Sequence, residues 1–239
     1  MSHTIDSHPD LVGLPGDLRT GPESGRTGRP RWPLWGVLAG VTGLISPFFI
    51  LSSGVTEEQA QTGVDVIDTL ERGNFHIGFV LGLVSVMSLF VTAAGWRRWL
   101  ERRAPDSIAG RTAPAGLTAV ATVNIIFTAL AGTLVLYLPG GTDEGWLSKE
   151  ALFVNFTLLD FGSLLGWWGA MVAGLAVAAM SFGSRKVLPT WMGVVSLVLV
   201  LPPVAMFLLI GLPGLVGFTG PIWLVAMSIG QLVSRTADA

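Results

Sequence analysis

Six long apolar runs, separated by short polar intervals, make up most of this chain, at residues 34–53, 76–96, 115–138, 152–182, 190–211 and 214–234. Each supplies about the 20 apolar residues that a helix needs to cross a ~30 Å hydrocarbon core. No interval between the runs exceeds 22 residues, so none holds a soluble domain able to fold alone. The pattern predicts an all-α, polytopic membrane bundle of six transmembrane helices.

The polar intervals add two elements. Residues 1–33 are rich in Gly, Pro, Ser and Thr. Such a segment buries too little apolar surface to offset its ordering entropy, and a disordered tail is expected there. Residues 236–239 form a short C-terminal tail. Between the first two runs lies GVTEEQAQTGVDVIDTLERGN. Thr56 and Gln59 have capping-box spacing, and Ala60, Val64, Ile67 and Leu70 recur at helical spacing. The segment predicts a short amphipathic helix over 57–71 lying on the membrane surface, weakened at Gly63 and ended by Gly73-Asn74.

Charge then orients the bundle. Arg19, Arg26, Arg29 and Arg31 precede the first run. Arg97, Arg98, Arg102, Arg103 and Arg111 join the second to the third, Arg185 and Lys186 join the fourth to the fifth, and Arg235 follows the sixth. These are 12 of the 14 basic residues, with only Arg72 and Lys149 on the opposite side. Basic loops stay cytoplasmic, so both termini are expected inside. Trp32, Trp35, Trp96, Trp99 and Trp191 are expected at the inner interface, with Tyr137 and Trp146 at the outer one. The outer loops carry eight acids against Arg72 and Lys149. That surface either attracts cations or carries its acids because lysine and arginine are retained inside.

Composition narrows the chemistry. Half the residues, 51%, are hydrophobic and only 13% are charged, against about 25% charged in soluble domains. There is no cysteine, which excludes disulfides, thiolate metal sites and cysteine nucleophiles. Twelve of the 14 basic residues are arginine, a bias associated with GC-rich bacterial genomes, and the expected location is a plasma (inner) membrane. The net charge of −2 gives no sign of nucleic-acid binding. His3 and His8 lie in the tail, leaving His76 as the only histidine near a span. A bis-histidine haem is thereby excluded, and no metal or other cofactor is expected. Walker, Gly-x-Ser-x-Gly and His-Glu-x-x-His patterns are missing as well, so no catalytic residues are assigned.

Ionisable groups inside spans are costly and mark candidate sites. The fourth run carries a single one, Asp160. Counted from an inner exit near Ser181, it lies 21 residues away, or about 31 Å, at the outer rim. His76 starts the second run at similar depth. An Asp160–His76 pair can relay protons, bind a cation or simply pin two helices. Asn155 and Thr157 are near enough to assist Asp160. Asn124 sits deeper, about 14 Å from Ala115, as interhelical glue or a substrate contact.

Small residues recur at helical spacing. Gly162, Gly166, Ala170 and Gly174 repeat every fourth residue, and Gly36/Gly40 and Gly78/Gly82 repeat the spacing once each. Such stripes let backbones approach closely, within one chain or between two copies. Pro47, Pro202, Pro203 and Pro221 interrupt spans, which membrane helices tolerate where neighbours or water re-satisfy the released carbonyls. The resulting expectation is a non-enzymatic plasma-membrane protein of transport or permease-subunit type, with its site near Asp160 and His76. The alternative is an interaction or sensory protein working through the outer helix or through Arg97, Arg98, Arg102 and Arg103. Besides the bilayer, the candidate partners are a soluble cytoplasmic protein, anionic lipid head groups or a second copy.

Overall fold

The computed structural model describes residues 31–51, 63–183 and 186–237. Its helices are α1 (Trp32–Leu51), a 3-10 helix (Gly63–Thr69), α2 (Arg72–Arg103), α3 (Ile108–Tyr137), α4 (Lys149–Leu165), α5 (Trp168–Phe182), α6 (Thr190–Ile210) and α7 (Val216–Ala237). No strand occurs among the described residues. Six segments are long and apolar enough to cross a membrane, with α4 and α5 together forming the fourth. The protein is an all-helical, multi-pass bundle.

The helices outrun the apolar stretches that predict them. α2 begins at Arg72 and ends at Arg103, and α3 begins at Ile108. Backbone hydrogen bonding does not stop where hydrocarbon gives way to water. Local signals set the ends instead. Arg102 and Arg103 suit the negative C-terminus of α2. Ser107 caps α3, its Oγ accepting from Gly110 N at 3.1 Å. Gly211, at φ +70°, closes α6 in the left-handed region, and the chain turns directly into α7.

α2 packs between α1 and α3, α1 also meets α7, and α5 lies against α3, α6 and α7. Span four is the centre of the bundle: 67% of its apolar window is buried, against 22% for α6. α6 accordingly turns Leu208 and Leu209 outward, 74% and 81% exposed, as a helix facing lipid must. The larger core cluster includes Trp96, Leu117, Trp167 and Trp223; a smaller one gathers Ile67, Phe75, Leu134 and Leu159. Trp96, expected at an interface, is fully buried. Its ring stands edge-on between Trp32 at 6.3 Å and Trp99 at 6.1 Å, so it anchors helices to one another.

The outer element differs from the sequence expectation. The capping box at Thr56 and Gln59, like residues 1–30 of the expected tail, lies outside the described residues, and α1 already begins at Trp32. From Gly63 onward the segment is a 3-10 helix instead of an α-helix, starting at φ +65°. Val66, Ile67 and Leu70 are buried in the smaller cluster. This apolar face covers protein, packing beside α4, and not a membrane surface.

Candidate functional site

Span four is not one continuous helix. Gly166 N bonds Gly162 O at 3.1 Å in the normal i−4 pattern. At Trp167 the ladder switches, with Trp167 N donating to Leu164 O at 3.4 Å and Ala170 N to Trp167 O at 2.9 Å. The Ser163 and Gly166 carbonyls thereby lose the N–H partners that an unbroken helix would give them. Local sequence explains the position: GSLLGWWG sets three glycines around two indoles. Trp167 is buried with its ring against Gly43 of α1 and Gly220 of α7. Glycine at 43 is what admits the ring there.

Beside the break lies a small cavity of about 30 Å³, bounded by α1, α2, α3 and α4. It has room for a water-sized group. Its polar lining is Ser46, Ser85, Asn124, Thr128 and Ser163. The hydroxyls are already held in place. Ser46 Oγ donates to Gly78 O at 2.8 Å and Ser85 Oγ to Ala39 O at 2.9 Å, tying α1 to α2. Thr128 Oγ1 donates to Asn124 O at 2.8 Å, and Ser163 Oγ to Asp160 O at 3.2 Å. Donating in this way leaves each oxygen free to accept. Two lining residues also carry carbonyls freed from the helical ladder, Ser163 by the break and Gly43 by Pro47, which has no N–H to offer it. Asn124 Nδ2 is buried without a hydrogen-bond partner. The site is thus a cluster of neutral oxygens with one unpaired amide donor. It suits a small polar or cationic guest and holds no group for acid–base chemistry.

The residues singled out from sequence fall into three groups. Asn124 is in this cavity. Asn155 does not line it; eight residues before Ser163 on α4, it is buried, its Nδ2 donating to Leu130 O of α3 at 3.2 Å and its Oδ1 unpartnered. Asp160 stands about two turns before the break at Trp167, half-buried, and meets the cavity lining through its backbone carbonyl, which accepts from Ser163 Oγ. His76 is not brought to Asp160: among the described residues no hydrogen bond or ion pair joins them. Phe75 takes the inward position on α2, its ring edge-on to Phe156 at 6.2 Å. The next residue along a helix points about 100° away, and His76 is exposed.

The glycines predicted to form one seam meet different neighbours. Gly162 and Gly166 face Phe127 and Asn124 of α3, whereas Gly174 faces Val200 of α6 and Trp223 of α7. Ala170 lies against Gly220 of α7. Gly36 and Gly40 lie against Ser228 and Val225 of α7; Gly78 meets Ile50 and Gly82 meets Thr128. These small residues serve contacts within the chain. On the basic loop, Arg97 pairs with Glu101 at 2.9 Å, Arg102 Nε donates to Arg98 O at 3.2 Å, and Arg103 lies 4.7 Å over the Trp99 ring.

Sequence reasoning missed Ser46, Ser85, Thr128 and Ser163, because hydroxyls in membrane helices usually bond their own backbone and carry no distinctive spacing. The signal that was present is the adjacency of Ser46 to Pro47 and the glycine–tryptophan cluster at 162–169. No family model, curated protein or solved structure matches the chain.

Proposed function

We propose that this protein is a permease-like membrane protein that passes a small polar solute or monovalent cation through the bundle beside the helix break. One observation carries the reading: span four is interrupted inside the bundle, next to a cavity lined by hydroxyls, an amide and released carbonyls. Interrupted helices with unwound carbonyls are where secondary transporters coordinate ions and substrates, and irregular backbone at membrane depth is tolerated where it lines such a cavity. Asp160, about two turns from the break toward the acidic end, is the charged residue on the approach to that cavity.

The absence of native cysteine gives a clean test. Ser46→Cys and Ser163→Cys are made singly, the protein is reconstituted in vesicles, and each is treated with a small water-soluble thiol reagent. A route for polar solutes predicts labelling at both positions and none at Val200→Cys, which is buried among packed helices. Vesicle flux of protons, sodium, potassium, glycerol and urea is then measured, with Asn124→Leu expected to fall to the level of empty vesicles and Asp160→Asn to be impaired. Unlabelled cavity cysteines together with no flux in the wild type would sink the reading.

A further inference from the structure

At the basic end of the bundle, α2 and α3 diverge to leave a groove of about 900 Å³. Small residues open it, with Ala93 and Ala94 on one wall and Pro114 and Ala115 on the other. Its mouth carries Arg97, Glu101 and Arg111. Both arginines are positioned by a single contact, Arg97 Nε to Glu101 Oε1 at 2.9 Å and Arg111 Nη2 to Pro105 O at 3.1 Å. A guanidinium has five N–H donors, so each keeps donors for an incoming anion. From Arg97 to Arg111 five arginines stand against Glu101 and Asp106, a net of +3.

The deep part of the groove is apolar on both sides. It runs seven residues from Arg97 back to Phe90 and seven from Arg111 on to Thr118, about 10 Å along each helix. Those depths belong to the membrane-crossing segments, and Phe90 and Ala94 are exposed. An occupant must therefore join an anionic head at the mouth to a hydrocarbon tail below it. A soluble protein segment satisfies the mouth but cannot follow the groove into lipid, and free phosphate leaves the apolar walls bare. We propose that the groove binds one anionic phospholipid, its phosphate held by Arg97 and Arg111 and one acyl chain lying between Phe90 and Pro114. Arginine forks match phosphate oxygens, and basic pockets between transmembrane helices are known seats for anionic head groups.

The test uses the full chain, delipidated in detergent and re-exposed to mixed micelles of phosphatidylglycerol and phosphatidylcholine, with retained lipid read by native mass spectrometry. The wild type is expected to retain phosphatidylglycerol with a preference of about tenfold or more. Arg97→Gln/Arg111→Gln is expected to lose that preference, while Arg98→Gln/Arg102→Gln, which alters charge outside the groove, keeps it. Ala115→Phe fills the trench with both arginines intact and is expected to abolish retention. Equal retention of the two lipids by the wild type overturns the proposal, as does unchanged preference in Arg97→Gln/Arg111→Gln or unchanged retention in Ala115→Phe. Inorganic phosphate that displaces the lipid overturns it too, by assigning the mouth to a soluble anion. An acidic protein that occupies the site in place of lipid does the same.

Discussion

Gly116 of α3 and Gly169 of α5 press backbone against backbone: a Cβ built on either would lie 2.5 Å from the carbonyl oxygen of the other. Neither atom can swing aside, because both obstacles are main chain. Gly116→Ala or Gly169→Ala must push the helices apart, with an overpacking cost of about 1–3 kcal/mol. Gly73→Ala meets nothing within 4 Å and gains helix propensity of up to about 1 kcal/mol. Thermal unfolding in one detergent should rank Gly73→Ala at or above the wild type and both close-contact variants below it. A Gly116→Ala protein as stable as the wild type would show that these helices can separate freely.

Trp223 of α7 and Ser196 of α6 share a hydrogen bond of 2.9 Å, and neither is exposed. Interhelical hydrogen bonds in membrane proteins average about 0.6 kcal/mol. Ser196→Ala should cost more, about 1–3 kcal/mol, because it strands the indole N–H where neither water nor another acceptor reaches it. A double-mutant cycle with Trp223→Phe measures the coupling. A coupling near zero would mean that the tryptophan contributes by packing alone.

The 3-10 helix is held to α4 in two ways, and their magnitudes differ. Lys149 pairs with Asp68, but both are half exposed, and solvent screens such surface pairs so that they contribute little. Ile67 is 3% exposed, and truncating a buried Ile to Ala costs about 2–5 kcal/mol. Lys149→Gln should therefore be nearly silent and insensitive to added salt, whereas Ile67→Ala loosens the outer cap. Hydrogen exchange over residues 63–70 distinguishes them, and strong exchange in Lys149→Gln would reverse the ranking.

The six crossings were legible because each is a run of residues too apolar for water and long enough to cross hydrocarbon, a property that needs no neighbours. The break at Trp167 was not, because hydropathy passes through GSLLGWWG without a dip. That hidden switch in the ladder also explains the divided glycine seam. Fourfold spacing puts Gly162, Gly166, Ala170 and Gly174 on one face only if the helix is continuous. Counting residues gave Asp160 and His76 similar depth but not their directions around their helices, and Phe75 claims the inward position beside His76. At 63–70 the apolar spacing marked Ile67 and Leu70, which are buried, but not that the segment would wind as a 3-10 helix. Asn124 was legible as a polar residue deep in a span; that its amide would face a cavity depends on α1, α2 and α4 together.

The broken span also bears on the direction of the helices that follow it. α4 has 17 residues and α5 has 15, about 26 and 23 Å of helix, each short of a ~30 Å core. Neither half reaches the ~20 residues of a typical crossing, and residues 149–182 together make one span. In the folded bundle the interruption is enclosed by α3, which meets Gly169, and by α1 and α7, which meet Trp167. Counted as two crossings, the halves would raise the number of spans from six to seven and reverse the direction of every helix after Phe182.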